Sequence, residues 1–142
     1  MLTHIDHIGI ACRDLAATIS FYESAFGLTL VSQETNPEQG VREAMMAVSD
    51  APAGASYVQL LEPLGPDTPV GRFLERRGEG IHHVGYGVAD ITAALDAIGA
   101  TGVRLLDARP RHGSMGTAIA FLHPADIGGV LTELVQPAPP RQ

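Results

Sequence analysis

Lysine is absent from this chain of 142 residues, and all nine of its basic side chains are arginine. A Schiff-base lysine, a P-loop lysine and a lysine general base are therefore excluded. Cysteine is nearly absent too. Cys12 alone can form no intrachain disulfide, no CxxC redox pair and no multi-cysteine zinc site, and it reads as a small buried residue on the first strand. No apolar run approaches the roughly 18 residues of a membrane span, and the opening Met1-Leu2-Thr3-His4-Ile5-Asp6 has neither a basic n-region nor an apolar h-region. The expectation is a soluble cytoplasmic protein. Positive charge is also scarce: the net charge is −7, with no basic stripe interleaved with aromatics, which argues against nucleic acid and anionic membrane as partners. A local arginine cluster could still take a small anionic ligand.

What the chain does contain is an internal repeat. Ile5-Asp6-His7-Ile8-Gly9-Ile10 followed by Asp14-Leu15 recurs 76 positions later as Ile81-His82-His83-Val84-Gly85-Tyr86 followed by Asp90-Ile91. Each copy reads as a short apolar strand bearing a histidine, then an aspartate cap and an apolar helix. After the helix that ends at Gly27, strands are expected at 28–31, 41–48 and 56–61, separated by the polar loop 34–40 and the small-residue turn 50–54. Thr68-Pro69 opens a short connector helix to Arg77 that carries Arg72 and Arg76. The second copy is expected as strand 81–88, helix 91–99, strand 104–106, a loop over 109–116, and strands 117–123 and 130–136, before a proline-rich tail. The organisation is thus an α+β fold: two paired βαβββ modules, about 4–62 and 80–136, joined by a connector at 63–79 and followed by the tail 137–142. They would form one domain with a curved mixed sheet around a metal-binding cleft.

Two histidines at equivalent positions suggest a shared metal. Gln59 follows His7 by 52 residues and Glu133 follows His83 by 50, so each module offers one nitrogen and one oxygen donor. Strand alternation sets these polar side chains among aliphatic neighbours, where a cation would satisfy them. His7, Gln59, His83 and Glu133 make a thiolate-free set suited to Co²⁺, Mn²⁺, Ni²⁺ or Zn²⁺. Four protein ligands on a six-coordinate ion leave two positions to chelate a substrate with two neighbouring oxygens.

These residues resemble the vicinal oxygen chelate superfamily, which includes glyoxalase I, extradiol dioxygenases and antibiotic-modifying proteins. Asp6-His7-Ile8-Gly9, Asn36-Pro37-Glu38-Gln39-Gly40-Val41-Arg42-Glu43, Gly80-Ile81-His82-His83-Val84 and Gly128-Gly129-Val130-Leu131-Thr132-Glu133-Leu134 look most like its methylmalonyl-CoA epimerases. The resemblance implies the same four metal ligands, with cobalt the favoured ion, an acyl-CoA substrate and a homodimer. It also implies Glu43 as a catalytic acid/base, which spacing does not show. Inversion at the carbon between thioester and carboxylate needs bases on two faces, and Glu133 is the second candidate despite coordinating the metal.

Among the remaining polar residues, Arg109, Arg111, His112 and Ser114 of the second-module loop are candidates for substrate contact, the loop serving as a lid, and the arginines of the connector helix are another phosphate candidate. His82 is read as structural because it alternates with His83, His123 as a turn residue and His4 as exposed. Two other readings stay open: a glyoxalase I-type isomerase acting on a glutathione hemithioacetal, and a non-catalytic protein of the same fold that binds a small ligand. An extradiol dioxygenase fits less well, because Gln59 adds a neutral donor to the two histidines and one carboxylate.

Overall fold

The computed structural model describes residues 1–48 and 56–140, so the expected turn at 50–54 lies outside the described residues. The chain divides into two compact units, one of His7–His82 and the other of Met1–Asp6 with His83–Gln142.

In the first unit, β1 (Leu2–Ala11), through its residues from His7 onward, lies parallel to β4 (Tyr57–Pro63). β3 (Val41–Ala47) runs antiparallel to β4 on one side and to β2 (Thr29–Asn36) on the other, giving the order β2-β3-β4-β1. In the second unit, β5 (Gly80–Val88) is parallel to β8 (Thr132–Gln136). β7 (Ala118–Leu122) is antiparallel to β8 and to the two-residue β6 (Arg111–His112), giving β6-β7-β8-β5. The two orders match element for element, which is what the sequence repeat requires.

Alternation sorts each sheet into two faces. In the first unit Ile10, Cys12, Ala44, Met46, Val58 and Leu60 pack under α1 (Leu15–Phe26) through Leu15 and Ile19. Asp14 caps α1 by accepting from the Ala17 N–H, and Gly27 ends it with φ 69, a left-handed conformation that favours glycine. On the opposite face Ala11, Val41 and Leu61 pack against Val70 and Leu74 of α2 (Pro69–Arg77), capped by Thr68. In the second unit Val88, Ala120, Leu122 and Leu134 pack under α3 (Ile91–Ala100), capped by Asp90.

Three expectations need revision. No strand forms over 104–106: Leu105 makes an isolated bridge to Leu122, the Leu106 N–H donates to the Phe121 carbonyl at 2.9 Å, and Arg104 ties the segment further, its backbone N–H and Nε both donating to Asp126 Oδ2 at 2.9 Å. The edge partner of β7 is β6, inside what reads from sequence as a lid loop. Gly113 there answers close packing, since a Cβ would sit 2.6 Å from Ile119 Cγ2. β2 continues through polar residues to Asn36, because at the sheet edge pairing to β3 needs no apolar face.

Candidate active site

The face of the first sheet opposite α1, covered at one end by α2, carries the chemistry. His7 and Ala11 share that face of β1, and Gln59 and Leu61 share it on β4, with Gly9 beside Gln59 and Ala11 beside Leu61. β3 adds Glu43 opposite Leu61 and Met45 opposite Gln59. His7, Glu43 and Gln59 are all buried, at 3%, 3% and 6% exposure. Burying a carboxylate without partners is costly, and here the Gln59 amide Nε2 donates to Glu43 Oε2 at 3.0 Å. A carboxylate that accepts on this side fixes which end of the amide it meets. The planar amide therefore turns its oxygen away from Glu43, the orientation a metal ligand needs.

The second unit repeats half of this arrangement. Phe121 stands opposite Glu133, and Gly85 beside it on β5, so His83, Phe121 and Glu133 share a face. His83 and Glu133 are 2% and 4% exposed, and their Nε2 and Oε2 atoms are 3.8 Å apart. That separation is long for a hydrogen bond. It matches two ligands of one ion, which at bonds of about 2.1 Å sit roughly 3–4 Å from each other. The Phe121 ring meets the His83 imidazole edge-on at 5.4 Å and limits its rotation.

Each unit thus buries donors of its own, His7 and Gln59 in the first and His83 and Glu133 in the second. Two imidazoles and a carboxylate, with an amide oxygen on Gln59, fit a first-row divalent cation by donor chemistry.

The remaining candidates separate. Arg111 lies opposite Ile119, on the face of Glu133, but its Nε is engaged by Asp107 Oδ1 at 3.0 Å. His112 falls on the other face and is exposed, as is Arg109. Ser114 is buried in a turn whose next residue, Met115, holds φ 55, alone among described non-glycine residues in the left-handed region. His82 packs its ring edge-on against Phe73 at 5.1 Å, and burial pushes its pKa down to about 4, in keeping with a structural role. His123 accepts from the Ala125 N–H in a turn, and His4 is exposed. Cys12 is buried with its thiol pushed up to about 11, mainly by desolvation, so it is inert. Sequence reasoning missed two features: the Gln59–Glu43 hydrogen bond, which needs the β3–β4 register, and Phe121, whose signal was its alternation with Ile119.

Comparison with known proteins places this geometry. Residues 6–121 match the Glyoxalase/Bleomycin resistance protein/Dioxygenase superfamily. The ethylmalonyl-CoA/methylmalonyl-CoA epimerase of Cereibacter sphaeroides is 35% identical over 96% of this chain and 99% of its own. A solved methylmalonyl-CoA epimerase in complex with methylmalonyl-CoA and NH4+ is 54% identical, covering 97% of this chain and 96% of that one, with a TM-score of 0.93. A Streptomyces coelicolor methylmalonyl-CoA epimerase variant in complex with 2-nitronate-propionyl-CoA is 53% identical over 98% of this chain and all of that one, with a TM-score of 0.94.

Proposed function

Because the chain belongs to the Glyoxalase/Bleomycin resistance protein/Dioxygenase superfamily and resembles methylmalonyl-CoA epimerases over nearly its whole length, we propose that it interconverts the (2R) and (2S) epimers of methylmalonyl-CoA. The observation that carries this reading is the buried Glu43, held by Gln59 on the face that also bears His7 and the apolar Ala11, Val41 and Leu61. A base is needed for the weakly acidic carbon between thioester and carboxylate, and Glu43 is that base. Its Oε2 accepts from Gln59, which fixes the carboxylate and presents the other oxygen to the substrate proton. Burial excludes water, so the proton is not lost to solvent while the enolate exists.

His7, Gln59, His83 and Glu133 would hold a divalent ion, for which Co²⁺ is our first choice. When bound, that ion supplies a Lewis acid for the two neighbouring substrate oxygens. Glu133 delivers its own solvent-derived proton to the opposite face, so that Glu43 ends protonated and Glu133 ionised, and Phe121 braces the neighbouring His83. Arg109, Arg111, His112 and Ser114 remain our candidates for substrate contact, and a cytoplasmic homodimer is the assembly we assign. No helix among the described residues is long and apolar enough to cross a membrane.

The test is incubation of the cobalt-loaded protein with one epimer of methylmalonyl-CoA in deuterated water, followed at the α-carbon by NMR. Deuterium uptake with inversion, lost on chelation and restored by cobalt, is the expected result. No exchange beside a working control overturns the reading, and turnover of a glutathione hemithioacetal instead would put glyoxalase chemistry in its place.

A further inference from the structure

The exposed side of α2 is the most concentrated positive charge on a chain whose net charge is −7. Arg72, Arg76 and Arg77 all lie on this nine-residue helix, against one acidic side chain, Glu75. All three are exposed. Elsewhere among the described residues arginines are mostly committed: Arg104 to Asp126 at 2.9 Å, Arg111 to Asp107 at 3.0 Å and Arg42 to Glu62 at 3.5 Å. Arg76 and Arg77 have no carboxylate partner among the described residues. The nearby Glu79 accepts from the Arg13 N–H at 2.9 Å.

The helix also sits where it matters. Val70 and Leu74 pack on Ala11, Val41 and Leu61. These three continue, two or four residues along their strands, the rows that carry His7, Glu43 and Gln59. So α2 covers one end of the face that bears Glu43, with its arginines on the helix's exposed surface. Two of them are held in place before any ligand arrives. The Arg77 guanidinium lies 5.9 Å above the Phe73 ring, itself braced edge-on by His82, and Arg72 donates to the Asp67 carbonyl. Preorganised guanidinium groups lose less freedom when they bind phosphate oxygens.

We propose that Arg72, Arg76 and Arg77 of α2 bind the phosphate groups of the substrate's coenzyme A, and so set its affinity for the full thioester. The inference rests on the acyl-CoA reading above. The alternative is that the arginines only complement the C-terminal dipole of their own helix.

Two measurements test it on the full chain, comparing wild type with the double variant Arg76→Gln/Arg77→Gln. The first is KM for methylmalonyl-CoA against KM for methylmalonyl-pantetheine, which lacks the nucleotide. The second is calorimetric binding of 3′,5′-adenosine diphosphate, the phosphate-bearing end of coenzyme A, which needs neither metal nor turnover. The expected result is a KM raised about tenfold for the full thioester only, with kcat retained, and nucleotide binding weakened by a similar factor. Equal KM values and unchanged nucleotide binding overturn the proposal. So does an equal rise for both thioesters with a lowered Tm, the mark of a purely structural role. If wild type turns over neither thioester yet binds the nucleotide through these arginines, the epimerase reading fails and this one stands.

Discussion

The two repeats share a frame and differ in what they place on it. Each runs its first strand parallel to its last, caps its helix with an aspartate, and gives the first helical N–H to a side chain of the last strand: Leu15 to Glu62 at 3.0 Å, Ile91 to Gln136 at 2.9 Å. At the ligand positions the nitrogen donor is kept, His7 and His83, while the oxygen donor changes from Gln59 to Glu133. One strand over, the difference is complete. Glu43 pairs with Leu61, two residues beyond Gln59, and Ile119 pairs with Val135, two residues beyond Glu133. Both side chains are 3% exposed, so one repeat buries a carboxylate where the other buries a hydrocarbon. Duplication supplies a place for buried donors twice, whereas the buried carboxylate of Glu43 requires that the symmetry be broken.

The largest effect should come from erasing or transplanting that asymmetry. Glu43→Gln should lower kcat by about 10²–10⁴-fold in the deuterium-exchange assay, the range for loss of a positioned base. Its fold is expected to persist, because the new amide replaces a carboxylate of the same shape. Ile119→Glu does the reverse, placing a carboxylate beside Phe121 with Glu133 where the first repeat has Gln59. It should cost about 3 kcal/mol in urea unfolding without gaining activity. A variant as stable as wild type would mean the second repeat tolerates a buried acid.

The residue before each ligand histidine offers a second comparison. It is Asp6 in the first repeat and His82 in the second. His82 titrates near 4 in the folded chain because burial disfavours its charged form, against about 6.5 when unfolded. Its neutral form is the folded one, so stability is full above about pH 6.5 and falls as pH drops toward 4, where the unfolded chain binds the extra proton. The loss is on the order of 3 kcal/mol at most. His82→Leu should flatten that part of the stability–pH curve, and an unchanged slope would show that another group carries it.

The smallest expected effect tests the shared frame. Glu62→Ala and Gln136→Ala each remove the acceptor for a first helical N–H, and each should lower stability by about 1 kcal/mol. Similar losses in the two halves would show the caps to be equivalent; a much larger loss for Glu62→Ala would assign the excess to its ion pair with Arg42.

Strands and helices with a strong period were legible because their signals are local. Alternation marked β1 and β5, Asp14 and Asp90 marked helix starts, and Gly27 marked an end. Weakly patterned edge segments were not. β6 is two residues long and pairs with one end of β7, while the more apolar 104–106 meets the other end through a single bridge. The polar end of β2 read as loop because an edge strand exposes both its faces.

The sequence by itself determined that two like modules exist, that each offers a histidine and an oxygen donor, and that lysine and disulfide chemistry are excluded. These are matters of residue identity and spacing along one strand or helix. Tertiary structure alone decided that Gln59 holds Glu43, that Phe121 braces His83, that Asp107 engages Arg111, and that α2 covers one end of the face bearing Glu43. Each depends on strand register or on helix placement across the sheet, and a slip of one residue would send the same side chains to the opposite face.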